Sequence, residues 1–401
     1  MSKLLQIESP MPAPSDRPAG PALWRLGFRP FYLLGALYAA LGVPLWIAIF
    51  AGVIAPPEGV SPTAWHAHEM VFGFAIAIVT GFLFTAVRNW TDLPTPTGGR
   101  LAALCALWVL ARVLFALGAP DAGVLVELAF LVLVAVALLS VLLRARNRRN
   151  YFVGMLFLVL FLADLAFWSA AHGWLPALSP DGAVRFALYL VVLLTFVIAG
   201  RVVPMFTLNA VRGLRQFKDV RLDRAAIAVG GATFAFELAG VEGAGLAAAA
   251  ALAAVLHGVR LAGWRPLATL GKPILWILHA AYAWVPVGFA LMAAAALGLV
   301  PRALALHAFS TGVVGGLVIG MITRTALGHT GRMLVAGRGE VVMYTLVMLA
   351  ALLRVIGPLA MPSQYLYWLA LSAACWSAAF LVYLAVYGPR LSQPRVDGRD
   401  G

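Results

Sequence analysis

Two of the seven histidines in this chain sit in the string Trp65-His66-Ala67-His68-Glu69-Met70, at the start of an apolar run. Imidazole is the commonest protein ligand for metals, and a carboxylate beside it often fixes the ring. A helix turns by about 100° per residue. Glu69 therefore shares a face with His66 and could orient it, while His68 points about 200° away. Either the two histidines serve different neighbours, or the first turn is not helical and both converge.

His307 lies a few residues into a later apolar run, at the same expected depth as His66 and His68. His279 lies near the opposite end of its run, and a rise of 1.5 Å per residue separates the two levels by about 20 Å. One metal cannot take ligands from both. His172 and His257 fall near run ends and are expected at interfaces. His329 belongs to Thr325-Ala326-Leu327-Gly328-His329-Thr330-Gly331-Arg332, a predicted loop whose glycines and basic flanks suit an anion. The two cysteines, Cys105 and Cys375, lie inside apolar runs and offer no disulfide framework or thiolate cluster. An imidazole-dominated donor set suits haem iron or copper better than calcium or magnesium.

Three acids, Glu127, Asp164 and Glu237, also fall within apolar runs, with Arg112 and Arg354. Charges at membrane depth are costly and are functional suspects by default. Asp164 lies deepest. It could belong to a proton path or pair with Arg112 or a hydroxyl on a neighbouring helix.

The elements that must position these groups follow from composition. The chain has 401 residues, 63% hydrophobic and 11% charged, with mean hydropathy +0.93. A soluble domain carries roughly 25% charged residues, so a soluble enzyme is excluded. Crossing a bilayer takes about 20 mostly apolar residues. Twelve such runs occur, at about 31–54, 65–87, 101–117, 122–143, 151–172, 183–206, 225–240, 244–261, 274–299, 303–323, 338–357 and 365–387. The predicted fold is an all-α integral membrane protein of twelve transmembrane helices, residues 24–389, between polar tails 1–23 and 390–401 expected to be disordered.

Net charge is +13. Of the 29 Lys and Arg residues, 25 fall on one side of the predicted spans and two, Arg185 and Arg302, on the other. The positive-inside rule places both termini in the cytoplasm. The basic excess is then a topology signal that needs no nucleic acid. The cluster Arg144-Ala145-Arg146-Asn147-Arg148-Arg149 reads first as a topology anchor, with attraction of anionic lipid headgroups as the alternative.

The second, sixth and tenth spans end in similar Gly, Thr and Arg patches around Gly81, Gly200 and Gly320. The spacing allows three pseudo-repeated four-helix units and resembles the haem-copper oxidase catalytic subunit. The sixth span contains no His and the tenth only one, so an oxygen-reducing haem-copper centre is not supported. Gly312, Gly316 and Gly320 form a small-residue stripe on the tenth span, suited to close helix packing or to a flat ring.

More specific strings follow in order: Gly27-Phe28-Arg29-Pro30-Phe31, Trp65-His66-Ala67-His68-Glu69-Met70, Gly81-Phe82-Leu83-Phe84-Thr85-Ala86-Val87, Gly200-Arg201-Val202-Val203-Pro204, His279-Ala280-Ala281-Tyr282, His307-Ala308, and Leu327-Gly328-His329-Thr330-Gly331-Arg332. The chain resembles the NnrS family, haem- and copper-containing membrane proteins linked to the bacterial nitric oxide response. It departs from the family pattern at Arg88 and Asp92, where Pro and Gly are usual, which bears on the loop after the second span. The resemblance implies b-type haem and copper, a multi-pass protein of the bacterial inner membrane, and nitric oxide or nitrosyl species as partners. It leaves open which His holds which group, the electron donor, and whether the protein is a metal-dependent oxidoreductase.

Depth assigns His66, His68 and His307 to a site on the periplasmic side, with Glu69 as supporting carboxylate. His279 would serve a second site or haem propionates on the cytoplasmic side, with Arg201, Arg324 and His329. Two other classes stay open: a proton-coupled secondary transporter built around Asp164, and an assembly partner of a respiratory complex. Transporters commonly show two-part repeats, against the three-part pattern here.

Overall fold

The computed structural model describes residues 21–56 and 59–399. Most of the expected N-terminal tail, together with Glu58, Asp400 and Gly401, lies outside them.

Local sequence signals set the helix boundaries. Helices α1 (Phe28–Phe50), α2 (Pro62–Thr91), α3 (Gly98–Ala116) and α4 (Pro120–Arg144) come first. They are followed by α5 (Tyr151–Ala171), α6 (Pro180–Ala210) and α7 (Val220–Leu238). Next are α8 (Gly243–Gly263), α9 (Pro273–Ala296) and α10 (Arg302–His329). The last two are α11 (Arg338–Ala360) and α12 (Tyr365–Ser392). Proline opens α2, α4, α6 and α9, where a missing N–H costs nothing. Ser61 and Ser179 cap α2 and α6 by accepting from Ala64 N and Gly182 N, each at 3.1 Å.

No strand occurs among the described residues, and eleven helices are long and apolar enough to cross a membrane. This is an all-α membrane protein. The expected count of twelve differs at the seventh span, where α7 forms but carries Arg221, Asp223, Arg224 and Glu237 within 19 residues. Such a load of charge takes it below the apolarity of the other eleven.

Most helices pack on the next, α2 packs instead on α1, α4 and α6, and α12 returns to pack on α1. The end at which α2, α4, α6, α8 and α10 begin is termed the entry face, and the opposite end the exit face. α2, α6 and α10 meet around an apolar cavity of about 90 Å³, lined by Tyr32, Ile78, Phe82, Leu194, Leu317 and Met321 among others. The expected repeat of four-helix units is carried no further than this convergence.

Two features of α2 and α10 coincide. Each widens into a π-helical segment directly after a histidine, Glu69–Ala75 after His68 and Ala308–Gly315 after His307. Such segments are rare and frequent at functional sites. The glycine stripe of α10 is a packing surface: a Cβ at Gly312 would lie 2.4 Å from Trp284 Cγ, and one at Gly316 would lie 2.6 Å from Ala281 Cβ. It seats α9 and leaves no slot for a ring.

Asp92 ends α2 in the left-handed region, with φ of 53°. Glycine is the residue most often found at such a helix end, and Asp is among the few others that tolerate it. The departure from the family pattern at this position is thus accommodated by the backbone.

Two boundaries move outward. α10 runs past residue 323 to His329, so this histidine ends a helix where a loop was expected. The described part of the C-terminal tail is held in place. Arg29 donates to Leu391 O (2.7 Å) and Gln393 O (2.8 Å), and Arg395 donates to His329 O (3.2 Å). Val396 N donates to Thr330 O (3.2 Å). The apolar count alone could not show that these carbonyls find guanidinium donors.

Candidate functional site

The buried polar groups form separate clusters at the two faces. At the entry face, His68 is 1% exposed and both its ring nitrogens are engaged: Nδ1 meets Glu69 Oε1 at 3.0 Å and Nε2 meets Asp164 Oδ1 at 2.9 Å. Glu127 Oε2 lies 3.5 Å from the same Nε2. Arg112 binds Glu69 Oε2 (3.0 Å) and Glu127 Oε1, and Tyr38 donates its hydroxyl to Glu69. Four helices, α2 to α5, thus contribute charge to one water-poor spot, with Phe72, Phe167 and Trp168 packed around the imidazole. A buried charge needs such partners, since isolation costs several kcal/mol.

The three histidines expected together at this face divide between two places. Among the described residues, His68, Glu127 and Asp164 are the only His, Cys, Asp or Glu trio with ligand atoms all within 4.8 Å of one another, so His66, His68 and His307 form no such group. His66 stacks on Trp46, with ring centroids 4.1 Å apart, and its buried Nδ1 has no hydrogen-bond partner. His307 Nδ1 meets Ala303 O at 2.7 Å, and since a carbonyl only accepts, Nδ1 carries the proton and Nε2 the lone pair. Arg354 is an electrostatic neighbour of both. Glu69, expected to support His66, turns instead to His68, Arg112 and Tyr38.

At the exit face, His279 is 3% exposed and its Nε2 lies 2.9 Å from Thr207 Oγ1. The Thr207 hydroxyl gives its one proton to Val203 O (2.9 Å). It must therefore accept from Nε2–H, which leaves the lone pair on Nδ1. That nitrogen is buried and has no partner. This pattern, one ring nitrogen tied back and the other bare, is that of a metal-ligating histidine.

The basic groups assigned to this face are not drawn into one cluster with His279. Arg324 lies over the ring of Phe206, the neighbour of Thr207 on α6, with its guanidinium carbon 3.9 Å from the centroid. Arg201 donates to Asn150 Oδ1 (3.0 Å), and His329 packs on Phe28 with centroids 5.6 Å apart.

His257, expected at an interface, is fully buried. Arg260 donates to Tyr282 Oη (2.6 Å), to Phe196 O (3.0 Å) and to Asp223 (2.7 Å). Tyr282, accepting from Arg260, can then donate to His257 Nδ1 at 2.7 Å. His172 matches its expected place at the end of α5, partly exposed and 2.9 Å from Asp121.

A family model described as NnrS protein matches residues 22–395. The chain belongs to the NnrS family. The match spans α1 to α12, so every residue of both clusters lies inside it. No curated protein matches this NnrS-family chain. Sequence reasoning missed Tyr38, Trp46, Thr207 and the Arg260–Tyr282–Asp223 set that surrounds His257. The one signal it could have used was the polar tip of each residue inside or beside an apolar run.

Proposed function

We propose that this protein binds haem and copper within the bundle and confers tolerance to nitric oxide and nitrosative stress. It would act by metal-centred redox chemistry or by binding nitric oxide-derived species. The observation that carries this reading is the bare, buried Nδ1 of His279, whose other nitrogen is tied to Thr207. An apolar interior does not leave an imidazole lone pair unpartnered without cost.

The donor chemistry fits the groups that the family implies. His279 would hold one centre at the exit face, and His66 and His307 another at the entry face. Bound there, haem iron or copper would supply a redox-active site for a small uncharged ligand. The chain's own residues do the rest. Thr207 and the Ala303 carbonyl fix the tautomers of His279 and His307. Arg324, with Arg201 and His329 at the same face, offers donors for propionates. The cavity among α2, α6 and α10 is about 90 Å³, well above the roughly 10–15 Å³ that admits one water. That is room for an uncharged diatomic.

The charge distribution supports a multi-pass protein of the bacterial inner membrane with the exit face and both termini cytoplasmic. Metal analysis and reduced-minus-oxidised spectra of the purified protein test the proposal. We expect bound iron and copper and a Soret and α-band change. His279→Ala and His66→Ala should abolish different features. Absence of both metals and of any spectral change refutes the reading.

A further inference from the structure

We propose that His68, Glu127 and Asp164 form a separate site for a divalent transition cation, distinct in donor set from the imidazole sites. The first argument is geometric. One nitrogen and two carboxylate oxygens from α2, α4 and α5 lie within 4.8 Å of one another, on side chains no more than 2% exposed. Beyond this, one oxygen of each acid, Glu127 Oε2 and Asp164 Oδ2, is buried with no hydrogen-bond partner. Arg112 has taken the other oxygen of Glu127 and reaches no further into the trio.

The second argument is the ring's support. Glu69 accepts from His68 Nδ1–H, and Nε2 faces Asp164 and Glu127; with no metal its proton serves those carboxylates, and a cation would take that proton's place on Nε2. Carboxylate, imidazole and cation in line is the usual arrangement of a metal-bound histidine. The third is charge. Glu69, Glu127 and Asp164 carry three negative charges against Arg112 and the doubly donating His68 ring, which leaves one uncompensated in a buried site. Exchanging the Nε2 proton for a divalent cation cancels it. A nitrogen with two carboxylates suits manganese, ferrous iron or zinc, whereas imidazole-only sites favour copper and haem iron.

The test uses the full-length protein in detergent, freed of metal by a chelator and titrated with Mn²⁺ alone. Mn²⁺ is the weakest binder of its series at a given site, so retention reports the carboxylates. Free Mn²⁺ is followed by its electron paramagnetic resonance signal. One equivalent is expected to bind, and to bind equally in His66→Ala, His307→Ala and His279→Ala, so the outcome is independent of the haem and copper reading. Glu127→Gln and Asp164→Asn should each weaken binding by more than the roughly 10–100-fold that loss of a supporting partner costs. Glu237→Gln, a buried acid on α7, should change nothing. Pulsed measurements should show coupling to a single nitrogen, lost in His68→Gln. The proposal is overturned if wild-type protein leaves Mn²⁺ free, if both acid variants bind as wild type does, or if no nitrogen coupling is seen. Where one acid variant fails to fold, the other and the nitrogen coupling decide.

Discussion

Two buried arginines, Arg112 at the entry face and Arg260 at the exit face, each bind carboxylate, yet their surroundings are balanced differently. Arg260 meets one carboxylate, Asp223, with Tyr282 and the Phe196 carbonyl completing its donors. The charges cancel, and His257 is joined to the set through a hydroxyl. Arg112 meets two carboxylates, with a third, Asp164, on the far side of His68. The exit-face set is balanced in charge, although His257 Nε2 is buried without a hydrogen-bond partner. The entry-face set holds three carboxylates against Arg112 and the His68 ring, and so keeps a surplus of negative charge. Burial of charge alone therefore does not mark a site in this protein; imbalance does.

The largest expected effect breaks the entry-face set. Arg112→Met leaves Glu69 and Glu127 buried without their guanidinium, and loss of one partner of a buried pair costs about 3–5 kcal/mol. Thermal melting of the detergent-solubilised protein should fall steeply, and added Mn²⁺ should restore part of the loss. A melting temperature equal to wild type would show that the carboxylates are not charged together. Tyr38→Phe is the milder version. It removes one donor to Glu69, worth about 1.5–3 kcal/mol for a hydrogen bond to a charged group.

Much of this layout was legible in the residues and some was not. Apolar run lengths and charge placement located the helices, and intramembrane position singled out His66, His68, His279, His307, Glu127 and Asp164. Pairing was beyond reach because His68 and Asp164 are 96 residues apart, and nothing in one sequence says that α2 and α5 face each other there. The helical-wheel argument for His66 and Glu69 failed because of partners on other helices. The helix is regular from His66 to Glu69, the π turn beginning only at Glu69, but the Glu69 carboxylate is taken by Arg112, Tyr38 and the adjacent His68. His257 was misjudged because it sits near the end of its apolar run, while α7 and α9 cover it from both sides. The seventh apolar run begins at 225, but its helix starts at Val220 and takes in Arg221, Asp223 and Arg224, which lowers its apolarity below that of the others.

At the exit face the closest approach is at Gly200, where an added Cβ would lie 1.8 Å from Arg260 Nη2. A flexible arginine would ordinarily move aside. This one is held by three acceptors, so Gly200→Ala should cost about 1–3 kcal/mol, in the range of overpacked cores. The loss should appear in melting without altering Mn²⁺ binding at the other face. Equal disturbance at both faces would mean that the two clusters are mechanically coupled through α6, contrary to the contrast drawn between them.

The smallest effect addresses what makes the two faces chemically unlike. At the entry face a carboxylate fixes the imidazole, whereas at the exit face only the Thr207 hydroxyl does so. Thr207→Val keeps the shape and removes the acceptor for His279 Nε2–H. The ring is then free to exchange tautomers, and the Nδ1 lone pair is no longer imposed. Loss of a supporting partner typically costs a metal site about 10–100-fold in affinity. The lower end is expected here, because a neutral hydroxyl holds a ring less firmly than a charged group does. Reconstitution with haem, followed by the optical shift, should show about a tenfold weaker site with melting of the apoprotein nearly unchanged. An unchanged affinity would mean that packing against Trp264 fixes the ring by itself, and that the hydroxyl merely fills space.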